Sequence, residues 1–153
     1  MPEVTVSEQM PVKSEAVFAL LHDYDRRLEW DTLLREARLT RGNEKAEKGA
    51  TSLCVGRPFF GIFGLETKYI SFHEGKLAAV EMINRPPLFK NFAASIRHKD
   101  NDCGSIATYK LHFCARPRVF AVFLEPLMLR VLREETRKRL KTLSEFLSIN
   151  QRG

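Results

Sequence analysis

Three tyrosines, four histidines and three cysteines have the widest chemical range in this chain, and their spacing excludes most of it. His22, His73, His98 and His112 form no His-x-His or His-x-x-x-His pair, and Cys54, Cys103 and Cys114 form no Cys-x-x-Cys. Neither set has the spacing of a zinc centre, so no metal is expected. Only His98 and His112, on strands predicted to be neighbours, could converge through the fold. Exposed cross-strand polar positions account for them better. Gly56 and Gly61 have the spacing of a phosphate loop, but the Lys and Ser/Thr that would touch phosphate and magnesium are missing. There is no Gly-x-Ser-x-Gly, and no Ser, Cys or His sits in a nucleophile motif. Motifs therefore point to no catalytic residue and no cofactor. Tyr69 and Tyr109 remain as acids for chemistry that runs on positioning and one or two polar groups.

The segment Gly56 to Gly64 is unusual in another way, holding Phe59, Phe60, Ile62 and Phe63 among three glycines beside Arg57. Large apolar side chains on a bend either cap a cavity, meet a partner, or fold back into the core as a tight hairpin. Trp30, the only tryptophan, is expected to plug the core at a helix end with its indole N–H bonded to backbone, a place compatible with a pocket wall. Arg85-Pro86-Pro87-Leu88-Phe89 reads as a stiff connection that sets loop geometry and binds nothing. Asp25, Arg26, Arg27 and Asp31 read as surface ion pairs, each worth under about 1 kcal/mol.

The net charge is +6, and its distribution is uneven. Residues 1–115 hold 16 Lys and Arg against 15 Asp and Glu, whereas residues 116–153 hold 9 against 4. A basic segment can meet nucleic acid or anionic lipid. Here Glu134 with Lys138 and Glu135 with Arg139 stand four apart, acid first, the pattern of a solvated helix face. Nucleic acid is accordingly not expected, and peripheral membrane contact stays open. With 153 residues, 44% hydrophobic and 29% charged, the chain fits one domain spanning 1–153. No apolar run approaches the roughly 20 residues of a membrane span. Residues 1–10 carry no Lys or Arg and so do not read as a signal peptide. Three cysteines without close spacing suggest reduced, buried thiols and a cytoplasmic setting.

The elements that must position these residues follow from periodicity. Residues 3–10 alternate as a half-buried strand. Ser14 is a predicted N-cap for a helix to about His22, and Asp25 for a short second one through Trp30. From Leu33 the texture is strand, with hairpin turns at Glu74-Gly75-Lys76 and Asp100 to Gly104. In the last strand Ala107, Tyr109, Leu111 and Phe113 share one face. Leu129, Leu132, Thr136, Leu140, Leu143 and Leu147 then form one stripe of a long helix, with Pro126 starting it or kinking a longer one from near Arg118. Strand, two short helices, about six strands and a long helix make an α+β architecture. A sheet closed by one helix must curl around it, and that leaves a concavity.

Two strings carry a resemblance. Ala16-Val17-Phe18-Ala19-Leu20-Leu21 followed by Asp23-Tyr24-Asp25-Arg26-Arg27-Leu28-Glu29-Trp30-Asp31 is one. Glu125-Pro126-Leu127 followed by Arg133-Glu134-Glu135-Thr136-Arg137-Lys138-Arg139-Leu140 is the other. With the element order, they resemble the START-like, helix-grip superfamily of polyketide cyclase/dehydrase proteins, coenzyme Q-binding proteins, pollen-allergen proteins and lipid-transfer domains. The resemblance covers nearly the whole chain. It implies a seven-stranded antiparallel sheet gripping the last helix, with an apolar ligand between them. The fold hosts carriers, cyclases and regulators alike, so three functions follow as expectations. The first is binding or transport of a lipid-like, polyketide-like or quinone-like molecule without turnover. The second is a cyclase or dehydratase, and the third a regulator that meets RNA, ribosome or membrane through the basic helix. For the first, Trp30, Phe59, Phe60, Phe63, Tyr69, Met82, Phe92, Tyr109, Phe113, Met128 and Leu132 are the expected ligand-binding residues.

Overall fold

Alternation makes the first strand. In β1 (Glu3–Met10), Val4, Val6 and Met10 are buried while Glu3, Thr5 and Ser7 are exposed, giving one dry face. The computed structural model describes residues 2–56 and 64–152. Two short helices follow, α1 (Ser14–Leu21) and α2 (Arg27–Trp30). The next strands are β2 (Leu34–Thr40), β3 (Thr51–Gly56), β4 (Gly64–His73) and β5 (Leu77–Met82). Two long strands, β6 (Phe89–Asn101) and β7 (Gly104–Ala115), complete the sheet. A 3-10 turn at Arg118–Phe120 leads into α3 (Ala121–Arg152). The strand order is β1-β7-β6-β5-β4-β3-β2, every pair antiparallel. This is an α+β helix-grip fold, with a curved seven-stranded sheet around the long C-terminal helix.

Three irregularities in register mark where the sheet bends: Leu34/Glu36 in β2, Tyr69/Ser71 in β4 and Phe89/Asn91 in β6. An extra residue in one strand kinks it and re-aims the neighbouring side chains. The β6–β7 hairpin closes at Gly104 with φ +137°, and a Cβ there would collide with the Met10 carbonyl, so this turn requires glycine.

The later part of the stripe on α3 packs as its spacing predicts, while Leu129 and Leu132 are half-buried. Thr136, Leu140, Leu143 and Leu147 are buried, whereas Glu134, Lys138 and Glu145 are exposed. Ser144 Oγ donates to the Gln9 carbonyl at 3.0 Å, tying the helix to β1. Pro126 lies inside the helix, whose preceding residues Val122 and Phe123 are exposed, so the carbonyl that proline leaves without a helical donor is not enclosed.

Several local expectations are corrected by long-range partners. Ser14 opens α1 as its first residue, and its N–H is capped by Asp100 Oδ1 from β6 at 2.7 Å. Among the described residues no side chain caps α2, which follows Arg26 and not Asp25. His98 is buried against Phe18 rather than exposed, with no hydrogen-bond partner for either ring nitrogen among the described residues. His98 pairs in register with Ala107 and His112 with Ala93, so the two histidines do not meet. Cys103 is exposed, unlike the half-buried Cys54 and Cys114. Glu134 pairs with Arg137 at 3.1 Å and not with Lys138, and Arg139 turns away from Glu135 to a partner in the turn after α2.

Candidate functional site

The concave face of the sheet, one side of α3 and the α1–α2 region line an open cavity of about 190 Å³. Its apolar wall comes from Leu34, Leu65, Val80, Phe92, Ile96 and Leu132. The three bends matter here, because Leu34, Tyr69 and Phe89 stand beside them and all three face the cavity. Pro86 also lines it, so the stiff 85–89 connection contributes wall as well as geometry.

One part of the wall is polar and built as a chain of hydroxyls. Tyr24 donates to Ser52 Oγ at 3.1 Å, its oxygen lies 2.8 Å from the Tyr69 hydroxyl, and His22 Nδ1 lies 2.8 Å from that hydroxyl. Each hydroxyl has one proton. With Tyr24 giving its proton to Ser52, Tyr69 donates to Tyr24 and His22 Nδ1–H donates to Tyr69. Burial raises the pKa of Tyr24, Tyr69 and Tyr109, so all three stay protonated at neutral pH. Burial, with Arg27 nearby, lowers His22 to about 3, so it is neutral, and its Nε2 is buried without a hydrogen-bond partner among the described residues. The protons of Tyr24, Tyr69 and His22 are committed within this chain, so the hydroxyl among them left to donate to a ligand oxygen is that of Tyr109, which also lines the cavity. None of them is an anionic base at neutral pH.

The other polar part is ionic. Asp31, whose side chain is fully buried, accepts from Arg27 Nε and Arg139 Nε on the same oxygen, each at 2.9 Å. Arg27 also donates to the Leu21 carbonyl at 3.2 Å and lies over the Trp30 ring at 5.0 Å. Burial opposes the Asp31 charge, but Arg139 and Arg27 hold its carboxyl below the usual range. Glu135 also lines the cavity, and burial raises its carboxyl against the pull of Arg139 and Lys138.

The predicted ligand-binding residues divide. Tyr69, Phe92, Tyr109 and Leu132 face the cavity. Trp30, Phe113 and Met128 belong to the packed core, and the half-buried Met82 packs against it; none of the four lines this cavity. Trp30 Nε1 has no hydrogen-bond partner among the described residues, contrary to expectation; the ring is held by packing and by Arg27. Phe59, Phe60 and Phe63 lie outside the described residues. The residues that sequence reasoning missed are Arg27, Asp31, Glu135 and Arg139, with Tyr24 and His22. A signal existed for two of them: Arg27 and Asp31 are four apart across a one-turn helix, a spacing that brings side chains together. Their burial was not visible.

Comparison with known proteins now decides the family. The family model described as "Polyketide cyclase / dehydrase and lipid transport" matches residues 1–145. The chain belongs to that family. No curated protein matches its sequence. Among solved structures it is similar to a protein from Thermus thermophilus at 14% identity and TM-score 0.80, covering 97% of this chain and 99% of that one. A START superfamily protein from Mycobacterium smegmatis is similar at 13% identity and TM-score 0.74, covering 95% and 98%. The di-domain ARO/CYC protein StfQ of the steffimycin biosynthetic pathway is similar at 10% identity and TM-score 0.81, over 99% of this chain and 52% of StfQ. At such identities the likeness is one of fold.

Proposed function

We propose that this family member binds an apolar small molecule, lipid-like, polyketide-like or quinone-like, in the cavity between sheet and α3, and carries it unchanged. The observation that supports this best is the cavity's composition: a continuous apolar wall with polar groups gathered at defined places. Filling the space tests it. Leu132→Trp should abolish uptake of Nile red, a neutral apolar dye, with the circular dichroism spectrum preserved. Equal dye binding by a folded Leu132→Trp variant overturns the assignment of the cavity. Turnover of an added polyketide-like substrate, lost on Tyr69→Phe, would make the protein a cyclase or dehydratase instead.

A second reading, docking on an anionic membrane surface, is supported by one specific observation. Val119, Phe120, Val122, Phe123 and Leu127 are 56–79% exposed, beside exposed Arg118 and Arg130. Apolar groups rimmed by cations suit an interface of anionic lipid. The Phe120→Ser/Phe123→Ser double variant should lose co-sedimentation with phosphatidylserine vesicles. Sedimentation unchanged by that variant overturns the reading.

A further inference from the structure

The ionic part of the cavity wall has a charge mismatch that apolar-ligand binding does not use. Two guanidinium groups share one carboxylate, and both reach it through Nε on the same oxygen, Asp31 Oδ2. Arg27 spends one further N–H on the Leu21 carbonyl. Among the described residues, no protein acceptor meets the terminal nitrogens of Arg139 or Arg27 Nη2, although both side chains line the cavity. Only 12% of the Arg27 side chain and 17% of the Arg139 side chain is exposed, so the surplus positive charge is held largely away from bulk water. Cys54, Tyr24 and Tyr109 also face this place, and burial raises all three, so they stay uncharged at neutral pH. Glu135 is the other charged group there, and it makes no ion pair with either arginine. Burial raises its carboxyl against the pull of Arg139 and Lys138, and the surplus is whole while Glu135 keeps its proton.

A surplus cation in a mainly apolar wall is costly unless an anion meets it, and the cheapest match is a single negative charge. Guanidinium N–H groups in a fixed fork suit a planar carboxylate. A phosphate monoester would bring up to two negative charges to a surplus of one. The apolar wall of Leu34, Leu65, Phe92 and Ile96 lines the same cavity.

We infer that Arg139 and Arg27, held by Asp31, form a seat for a carboxylate, and that the ligand is an amphiphile with an acidic head and an apolar body. This rests on the cavity reading above and narrows it to a chemical class. Glu135 opposes the head when ionised, so the seat weakens as pH rises through the Glu135 titration.

The test compares decanoate with 1-decanol, a pair differing in the head group, by displacement of Nile red from the full chain. Decanoate should bind about tenfold or more tightly, the size of one charge-assisted hydrogen bond. Arg139→Gln keeps a side-chain amide near Asp31 and should bring the acid-to-alcohol ratio towards one. Glu135→Gln should flatten the decline of decanoate affinity as pH rises. Equal affinities in the wild-type chain overturn the seat while leaving the cavity reading intact, and that arm needs no variant to fold. A full preference surviving in folded Arg139→Gln also overturns it. If neither molecule displaces the dye and the dye itself does not bind, the cavity reading fails and the seat with it.

Discussion

In α3, the earlier half taken with the 3-10 turn that leads into it, apolar content and burial run in opposite directions. The earlier half is the richer in apolar residues, and the later half is the one that is buried. From Thr136 to Leu147, the side chains at helical spacing are buried, with Leu140 and Leu143 at 0% exposure. From Val119 to Leu127, five large apolar side chains point into solvent, and in the following turn only Met128 is buried. The difference lies in arrangement and in what the sheet offers. The later half concentrates its leucines in one stripe and lies on β1 and β7, fixed by Ser144 to Gln9 and by Arg139 to Asp31. The earlier half is apolar around most of its circumference, and one sheet face can cover only one side of a helix. Apolar content alone does not tell which side chains are core.

The largest test removes the electrostatic anchor of the later half. Asp31→Ala leaves Arg27 and Arg139 without their shared carboxylate and should cost about 3–5 kcal/mol in urea unfolding. A loss no greater than that of an exposed pair would mean the cluster is solvated. Next comes the packing contrast. Leu140→Ala should cost about 2–5 kcal/mol, whereas Phe123→Ala should stay within about 0.5 kcal/mol. Similar costs for the two would erase the distinction between the halves.

Acid provides the smallest and most selective probe, because α3 contains no histidine. Burial lowers His98 to about 4 and His22 to about 3, each from 6.5. The unfolded chain therefore binds more protons between those limits, and stability falls as pH drops from about 6.5 towards the folded values. His98→Phe should flatten part of that slope without altering the contrast along α3. An unchanged slope would mean that His98 is solvated in the folded chain.

Element order, hairpin turns and the α3 stripe were legible because each rests on side chains a few residues apart. Alternation in β1 and the 3-4 spacing on α3 are local consequences of strand and helix geometry. The family resemblance drew on the same local strings. Tyr69, Phe92, Tyr109 and Leu132 could be nominated for the cavity wall because their faces follow from that alternation and spacing. Leu34 and Phe89, each beside a bend, were not nominated, whereas Tyr69, beside the third, was.

What the sequence determined by itself is thus the α+β order and the buried face of the last helix, since both follow from short-range periodicity. The tertiary structure alone decided that Asp31 is a buried hub and not a surface partner. Its bond to Arg139 spans 108 residues. Periodicity describes which face of an element is dry, but whether a charge on that element meets water or another charge depends on what the rest of the fold brings against it. That is why the apolar wall could be anticipated in part and the two arginines could not.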